Sequence, residues 1–354
     1  MQEIIENLSR TIREAAARKR ALCIRGGGTK DFYGGAIHGD KLSTAGYRGI
    51  VDYEPTELVI TARAGTPLAE IEAALREKGQ MLVFEPPHFG EDATLGGCVA
   101  AGLSGPRRPY AGAVRDFVLG VRMIDGKGDH LRFGGQVMKN VAGYDVSRLM
   151  TGSLGTLGAL TEISLKVLPV PAAETTLRLK RTETEAIAAM NEWAGKPLPI
   201  TATTFRNGDL GVRLSGARSA VEAATKKLGG AVVDPVEAAR FWTSIREQAD
   251  PFFSGDTPLW RLSVKPTTPP LDLSGDQLIE WSGALRWLKS GADAKSIRDA
   301  AVRAGGHATL FRGRDKSSGA FQPLAPELMK LHNNLKRAFD PAGIFNPGRL
   351  YPDL

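Results

Sequence analysis

The chain of 354 residues, 42% of them hydrophobic and 24% charged, has the composition of an ordinary globular protein and is long enough for two domains. Its net charge of +7 is scattered along the chain, which disfavours nucleic acid as a partner, because that would need clustered basic residues. Two cysteines, Cys23 and Cys98, are too few for a disulfide framework or an iron–sulfur cluster and favour a cytoplasmic location. An acidic start and the lack of a long apolar run predict membrane contact only through a partner.

The first half of the chain alternates predicted helices and strands with glycine-rich turns. Apolar residues at helical spacing predict a helix over residues 5–16, and Thr66-Pro67 opens a second helix that Gly79 ends. A short helix of small residues is predicted near residues 94–103, and residues 125–128 are a predicted hairpin turn. Strands are predicted at residues 21–25, 50–53, 57–64, 81–84, 118–124, 130–133 and 159–168.

The second half changes character after Pro169 and Pro171, which mark a predicted domain boundary because proline interrupts strand pairing. Trp281 and Trp287 are expected on one face of a single strand, within the core of this second domain. The pair Asp340-Pro341 is expected to stop the last helix. The elements that begin after Pro171 have the βαββαβ order of a ferredoxin-like domain: 175–181, 183–193, 200–206, 210–214, 217–228 and 231–233. The same layer is expected to include strands near 260–264, 279–287 and 307–312 and a helix at 292–304.

The strongest local signal is the run Arg25-Gly26-Gly27-Gly28-Thr29-Lys30 directly after a predicted strand. Successive glycines let the backbone approach a ligand closely, and consecutive N–H groups form a nest for an anion such as a pyrophosphate. Taken alone, the run is more typical of a flexible surface turn. Two commoner phosphate-binding loops are excluded by spacing, because Asp31 stands where a dinucleotide fingerprint needs glycine and residues 120–128 do not match a P-loop.

Two further stretches of small residues follow. One runs from Thr94 to Gly105 and the other from Gly152 to Thr161. Each would let a flat ligand or a neighbouring backbone come into close contact. Each, taken alone, is explained equally well by tight packing between a helix and a strand.

The three glycine clusters in this order, with the tail from Phe339 to Gly348, resemble the vanillyl-alcohol-oxidase family, also called PCMH-type. The resemblance implies an α+β, PCMH-type two-subdomain FAD-binding fold with a ferredoxin-like cap domain. It places the FAD-binding domain at residues 1–171, the cap at 172–318 and a returning C-terminal segment at 319–354. FAD-binding positions implied by the resemblance are Arg25, Gly26, Gly27, Gly28, Thr29, Lys30, Thr94, Gly96, Gly97, Gly102, Ser104, Gly105, Gly152, Gly155, Thr156, Leu157, Gly158 and Asn346.

Residues 84–90, 101–110, 114–120 and 137–145 are similar to those of flavin subunits in complexes that oxidise small 2-hydroxy acids such as glycolate. The resemblance implies a larger flavin subunit and an iron–sulfur subunit as partners, and attachment to the inner membrane only through that complex. Noncovalent FAD is expected, because the first loop has no His or Cys and Cys98 is not at an attachment position of the family.

Candidate catalytic residues are His88, in a stiff loop before the second cluster, Arg108, which follows Arg107, and Lys139, which precedes the third cluster. An arginine fork suits a carboxylate, and a lysine would stabilise a reduced flavin. Each has a structural alternative as a loop or surface residue. The five histidines are dispersed, which predicts no metal site and disfavours substrate oxidation by this chain alone. The predicted role is a redox subunit of a hydroxy-acid oxidising complex, and the alternatives are a stand-alone 2-hydroxy-acid dehydrogenase or a flavin-free scaffold.

Overall fold

The computed structural model describes residues 1–135 and 145–354. The helices in these ranges are α1 (Gln2–Ala17), α2 (Leu68–Glu77), α3 (Leu95–Ala101), α4 (Arg108–Ala111), α5 (Val114–Phe117), α6 (Val146–Leu149), α7 (Glu183–Ala194), α8 (Arg218–Leu228), α9 (Pro235–Arg246), α10 (Ala294–Arg303) and α11 (Pro326–Phe339). The strands are β1 (Leu22–Arg25), β2 (Asp40–Ser43), β3 (Ile50–Glu54), β4 (Val59–Arg63), β5 (Gln80–Met81), β6 (Val118–Ile124), β7 (His130–Gly134), β8 (Ala159–Lys166), β9 (Leu168–Pro169), β10 (Ala173–Lys180), β11 (Ile200–Arg206), β12 (Asp209–Gly216), β13 (Ala231–Val232), β14 (Leu259–Ser263), β15 (Asp276–Glu280), β16 (Leu285–Lys289) and β17 (His307–Arg312). Across both ranges, no helix combines the length and the apolar composition needed to cross a membrane.

The first half is organised by a five-stranded antiparallel sheet in the order β3-β4-β8-β6-β7. Helix α2 buries Leu68, Ile71 and Leu75 in the core that also contains α3. The predicted hairpin turn joins β6 to β7, where the Asp125 carboxylate accepts bonds from two amides of the turn. The predicted strand at 81–84 is wrong in extent, since β5 is a two-residue strand that pairs with β9.

The second half builds an eight-stranded sheet in the order β13-β10-β12-β11-β15-β16-β14-β17. Its first four strands, numbered 1 to 4 along the chain, lie in the order 4-1-3-2 and are all antiparallel. With α7 and α8 as the connecting helices, this is the predicted ferredoxin-like arrangement. Helix α7 begins at Thr182, whose hydroxyl accepts from the Glu185 amide while the Glu185 carboxylate accepts from the Thr182 amide.

The remaining four strands repeat the 4-1-3-2 order and join the first four through the β11–β15 pair. The predicted strand at 279–287 is wrong, because β15 and β16 are separate strands with a turn at Trp281–Gly283 between them. Ser282 has φ 54°, which breaks the extended backbone. Trp281 and Trp287 are both buried in the core as predicted, but they do not share one face of one strand.

The C-terminal segment returns to β1. Helix α11 ends at Phe339, and both carboxylate oxygens of Asp340 accept backbone amides, those of Ile344 and Phe345. Phe345 then bridges Leu22 of β1 in parallel. Strand β1 consequently has two parallel neighbours, β2 on one side and the returning segment on the other.

Candidate cofactor site

A cleft of about 820 Å³ opens where the turn after β1, the start of α3, the turn before β8 and the returning segment meet. All three glycine clusters contribute to it. Its lining residues are Cys23, Ile24, Arg25, Gly26, Gly27, Gly28, Thr29, Lys30, Asp31, Ile37, Thr44, Thr94, Gly96, Gly97, Ala100, Ala101, Ser153, Leu154, Gly155, Gly158, Leu160, Asn346 and Arg349.

The turn after β1 presents unpaired backbone donors to this cleft. Among the described residues, the amides of residues 26–30 have no hydrogen-bond acceptor. Backbone donors are almost always paired inside proteins, so a run of unpaired donors lining a cleft indicates a site for an anion. The geometry therefore fits the phosphates of a nucleotide cofactor.

Glycine is required in this turn because the turn packs tightly against the residues that precede α3. A Cβ on Gly27 would lie 1.6 Å from the Asp92 carbonyl oxygen, and one on Gly26 would lie 2.3 Å from the Thr94 hydroxyl. Gly28 has φ +77°, a left-handed conformation that other residues rarely adopt. Any larger residue at Gly27 has to push the two halves of the cleft apart.

Two cationic side chains flank the unpaired amides. Arg25 forms an ion pair with Asp31 at 2.5 Å, while its Nε atom has no partner. The Lys30 ammonium donates to the His88 carbonyl oxygen at 3.1 Å and lies 5.6 Å from the Phe89 ring centroid. Burial lowers the pKa of Lys30. An anion bound at the turn would relieve that penalty by adding negative charge nearby.

The second cluster packs against the five-stranded sheet. Thr94 caps α3 by accepting from the Gly97 amide at 3.2 Å. The Gly96 amide donates to the Ala64 carbonyl oxygen at 2.7 Å, and a Cβ on Gly96 would lie 2.8 Å from that of Ala64. Cys98 is buried behind this face, and burial raises the pKa of its thiol to about 12. The thiol is therefore protonated and a poor nucleophile at neutral pH.

Asn346 joins the third cluster to β1. Its side-chain amide donates to the Leu154 carbonyl oxygen at 2.6 Å and accepts from the Ile24 amide at 2.7 Å. A Cβ on Gly155, which has φ +71°, would lie 2.7 Å from the Asn346 amide nitrogen. One side chain thereby links three segments of the cleft, which are β1, the third glycine cluster and the returning C-terminal segment.

Arg349 is a lining residue that the sequence analysis missed. It donates to the carbonyl oxygens of Asp31, at 3.2 Å, and of Tyr33 and Gly35, and so fixes the far end of the glycine turn. Burial lowers the pKa of its guanidinium. Its position directly after the Asn-Pro-Gly tail motif could have identified Arg349 from the sequence.

Several predicted cofactor residues lie outside this cleft. Gly102 packs on Gly152, where an added Cβ would lie 2.9 Å from the Gly152 Cα. The Ser104 hydroxyl accepts from the Val114 amide. Gly105 borders a second cavity described below, whereas Gly152, Thr156 and Leu157 border an apolar groove beside α11. Cofactor binding by these six residues stays a prediction.

Two of the candidate catalytic residues, His88 and Arg108, also lie away from the cleft lining. The His88 ring contacts Glu72, with Nε2 3.2 Å from Oε1. Arg107 is buried and pairs with Glu85 and Glu174, whereas the Arg108 guanidinium carbon lies 4.5 Å from the Trp281 ring centroid. Lys139 falls outside the described residues, so its predicted role is untested.

A second cavity, of about 350 Å³, separates the first half of the chain from the eight-stranded sheet. The sequence analysis did not identify it. The loops at residues 87–89 and 103–106 form one side, and the other side carries Arg246, Arg261, Glu280, Trp281, Leu285, Trp287 and Phe311.

Together, a cleft lined by close-approach glycines, a run of unpaired amides and adjacent cations defines a protein that binds a nucleotide cofactor. Two sequence families match the chain: an FAD binding domain over residues 3–134, and the C-terminal domain of FAD linked oxidases over residues 294–350. The solved structure of an alkyldihydroxyacetonephosphate synthase shares the fold, with a TM-score of 0.67 at 16% identity over 97% of this chain and 75% of that chain.

Relatives at the sequence level point to the same family. Glycolate oxidase subunit GlcE of Escherichia coli (strain K12) is 53% identical over 343 residues, which are 97% of this chain and 96% of the relative. Glycolate oxidase subunit GlcD of Bacillus subtilis (strain 168) is 36% identical over 129 residues, 36% of this chain and 27% of the relative. D-lactate dehydrogenase of Archaeoglobus fulgidus is 31% identical over 60% of this chain and 48% of the relative. The chain therefore belongs to the PCMH-type family of FAD-linked oxidases, and its cofactor is FAD. The family, fold class and cofactor predicted from the glycine clusters are confirmed.

Proposed function

We propose that the chain is the FAD-binding redox subunit of a complex that oxidises a small 2-hydroxy acid, glycolate in the first instance. In this role it receives electrons from substrate and passes them toward an iron–sulfur partner. The run of unpaired amides at residues 26–30 carries the cofactor part of the proposal. The similarity along 97% of the chain to a protein named as a glycolate oxidase subunit supports the substrate and the complex.

The residues present fit FAD at the first cleft. In this proposal, the amides of residues 26–30 hold the pyrophosphate with help from Arg25 and Lys30. Gly96 and Gly97 let the cofactor approach α3, and Gly155 and Asn346 border the nucleoside half. When bound, FAD supplies the hydride acceptor for oxidation of a carbon–hydrogen bond next to a hydroxyl group. The chain contributes binding, orientation and exclusion of water.

FAD is held noncovalently in this proposal. Cys98 lines neither the cleft nor the second cavity, and its thiol is protonated. Cys23 lines the cleft, but burial also raises the pKa of its thiol. Neither cysteine is activated for attack on the flavin.

In this proposal, electron transfer from the flavin depends on partner subunits, whereas a stand-alone dehydrogenase would not need them. Within residues 1–135 and 145–354, no group of three or more His, Cys, Asp or Glu side chains could hold a metal ion. In this proposal, electrons that reach the flavin pass to an acceptor outside this chain, and an iron–sulfur partner supplies a one-electron route. A larger flavin subunit, related to this chain as the GlcD similarity suggests, is the expected second partner.

The test is the cofactor content of the purified chain. Heat should release a yellow chromophore that chromatography identifies as FAD, with about one FAD per chain. A colourless chain that does not take up added FAD would overturn the proposal.

A paired glycine substitution sharpens this test. Gly27→Val should abolish FAD binding, because the added carbon atoms meet the Asp92 carbonyl. Gly46→Val is the matched control, since a Cβ on Gly46 has no heavy atom within 4 Å, and this variant should keep FAD. Glycolate turnover with a dye acceptor by the isolated chain would favour a stand-alone dehydrogenase, whereas turnover only with partner subunits favours the complex.

A further inference from the structure

We propose that Glu247, which lines neither the first cleft nor the second cavity, is a positioning residue for FAD. Its carboxylate fixes the loop at residues 87–89, and that loop holds the Lys30 ammonium beside the unpaired amides of the glycine turn. This inference rests on the cofactor part of the function proposed above, and needs neither the 2-hydroxy acid nor the partner subunits. Three observations support it: the bonds from Glu247 to the loop, the contacts from the loop to the turn, and the position of Glu247 at a helix end.

The first observation is that one carboxylate accepts two consecutive backbone amides. Glu247 Oε2 accepts from the His88 amide at 2.9 Å and from the Phe89 amide at 2.8 Å. Glu247 directly follows α9, in the second half of the chain, whereas the loop belongs to the first half, so these bonds cross the boundary between the halves. Hydrogen bonds to an ionised acceptor are roughly twice as strong as neutral ones. The loop is therefore fixed to the end of α9.

The loop depends on these bonds because its own backbone is strained. Residues 82–90 belong to no helix or strand, and Phe89 has φ 54°, a left-handed conformation that an aromatic residue rarely adopts. Such a conformation persists where the surrounding contacts determine it. The two bonds to Glu247 are made by the strained residue and the one before it. Without them the loop would lose two buried contacts and could relax to an ordinary backbone conformation.

The second observation is that the same loop contacts the cofactor turn at two places. The His88 carbonyl oxygen accepts from Lys30 Nζ at 3.1 Å. The Phe89 ring packs edge-on against Phe32, with the ring centroids 5.4 Å apart. In the part of the chain that the structure describes, Lys30 has no ion-pair partner, so neutral groups hold its ammonium and its charge is available to an anion in the cleft. A displaced His88 carbonyl would release that ammonium from the turn.

The third observation is that Glu247 lies where a helix disfavours a carboxylate. The C-terminal end of a helix carries partial negative charge, which repels a second negative charge. Arg246, whose Nε donates to Glu247 Oε1 at 2.8 Å, and the two loop amides offset this repulsion. The Glu247 charge also reaches the cleft: burial lowers the pKa of Lys30, and Glu247 acts in the opposite direction. A carboxylate retained at an unfavourable helix position indicates a role outside the helix.

The experiment is a double-mutant cycle read as FAD affinity. The full-length natural chain, Glu247→Gln, Lys30→Met and the double variant are each freed of flavin and titrated with FAD, and flavin fluorescence gives the Kd. Glu247→Gln keeps the size of the side chain and removes its charge, so FAD binding should weaken about tenfold. Lys30→Met should weaken it by a similar factor. In the Lys30→Met background, Glu247→Gln should change the Kd by less than about twofold, because both residues act through one ammonium.

Glu72→Gln is the matched control. Glu72 is another glutamate beside the same loop, but it contacts the His88 ring, with Oε1 3.2 Å from Nε2, and makes no bond to the loop backbone. This variant should bind FAD within about twofold of the natural chain. A loss as large as that of Glu247→Gln would show that negative charge near the loop matters and the backbone bonds do not, and would overturn the inference.

The cycle separates positioning from a purely structural role. If Glu247 only stabilised the fold, its effect on the Kd would be the same with and without Lys30, and the two factors would multiply in the double variant. That result, or an unchanged Kd for Glu247→Gln, overturns this inference alone. A natural chain that takes up no FAD overturns the proposed function instead.

Hydrogen exchange of the natural chain tests the same link if Glu247→Gln does not fold. When loop position sets FAD affinity, bound FAD must stabilise the loop in return. The amides of His88 and Phe89 should therefore exchange at least about fivefold more slowly in the FAD-loaded chain than in the FAD-free chain. Equal exchange rates at these two amides would overturn the inference.

Discussion

The indole N–H of Trp281 donates to the carbonyl oxygen of Gly105 across the boundary between the two halves of the protein, at 3.1 Å. Both partners are buried, so the bond has no competition from water. Gly105 is glycine because a Cβ there would lie 2.4 Å from the Glu85 carbonyl oxygen. The second glycine cluster and the eight-stranded sheet are therefore in direct contact at this point.

Replacing Trp281 by phenylalanine removes only the donor and part of the ring. We expect Trp281→Phe to lower the free energy of unfolding by about 1 kcal/mol more than Trp260→Phe, because it leaves the Gly105 carbonyl unpaired. Trp260 is the matched control, since it is equally buried and its indole nitrogen has no partner among the described residues. Urea unfolding followed by circular dichroism measures the difference, and equal losses in the two variants would contradict the bond's role.

The structure of the first cleft should depend on the side chain of Asn346. Asn346→Ala leaves the Ile24 amide and the Leu154 carbonyl without partners, and we expect a loss of roughly 2–4 kcal/mol in unfolding free energy. FAD affinity should fall with it, because β1 and the third cluster lose their common link. Asn334→Ala, on the exposed face of α11, is the control and should change neither quantity. Unchanged FAD binding by a folded Asn346→Ala chain would contradict this account.

Stability should fall with rising pH because of Glu280. Burial raises the pKa of this carboxyl to about 7, and the nearby Glu85 adds to the effect. The folded chain then holds a proton that the unfolded chain, with a pKa near 4.5, has released. The resulting stability is fully present below pH 4.5 and is lost as pH rises through 7, by an amount on the order of 3 kcal/mol.

The measurement is the free energy of unfolding in urea between pH 4.5 and 8. Glu280→Gln should remove this component of the pH dependence, because the amide does not titrate. Glu222→Gln, at an exposed position in α8, is the control and should follow the natural chain. Parallel curves for the natural chain and Glu280→Gln would show that Glu280 does not titrate in this range.

Neither thiol should react in the native state. With the pKa of Cys98 raised to about 12, roughly one molecule in ten thousand carries a thiolate at pH 8. Burial raises the pKa of Cys23 as well. A colorimetric disulfide reagent should therefore detect no thiol before denaturant is added and two afterwards. A rapidly reacting thiol in the native chain, assigned with Cys23→Ser, would refute the assumption that both are inert.

Local signals account for what the sequence predicted well. The turn at residues 26–30 was found because glycine runs report close backbone approach directly, and Asn346 was found through the tail motif. The ferredoxin-like order was readable because each helix and strand has its own periodicity, as in α7 and β12.

Non-local geometry accounts for what the sequence did not predict. Arg261 and Glu280 belong to different strands, β14 and β15, and each of these pairs with β16 rather than with the other. The single predicted strand through Trp281 failed because two bulky residues there adopt a left-handed backbone that no local propensity favours. Arg349 likewise acts on carbonyl groups more than three hundred residues away.

The return of the tail to β1 sets the order of events during synthesis. Ile24 and Asn346, which share a hydrogen bond, are 322 positions apart, so the ribosome needs on the order of tens of seconds to make the second after the first. Throughout that interval the nascent chain has its glycine turn but lacks one wall of the nucleotide cleft. We therefore expect cofactor capture to be deferred until the returning segment has been synthesised, so that flavin uptake follows the synthesis of the eight-stranded sheet.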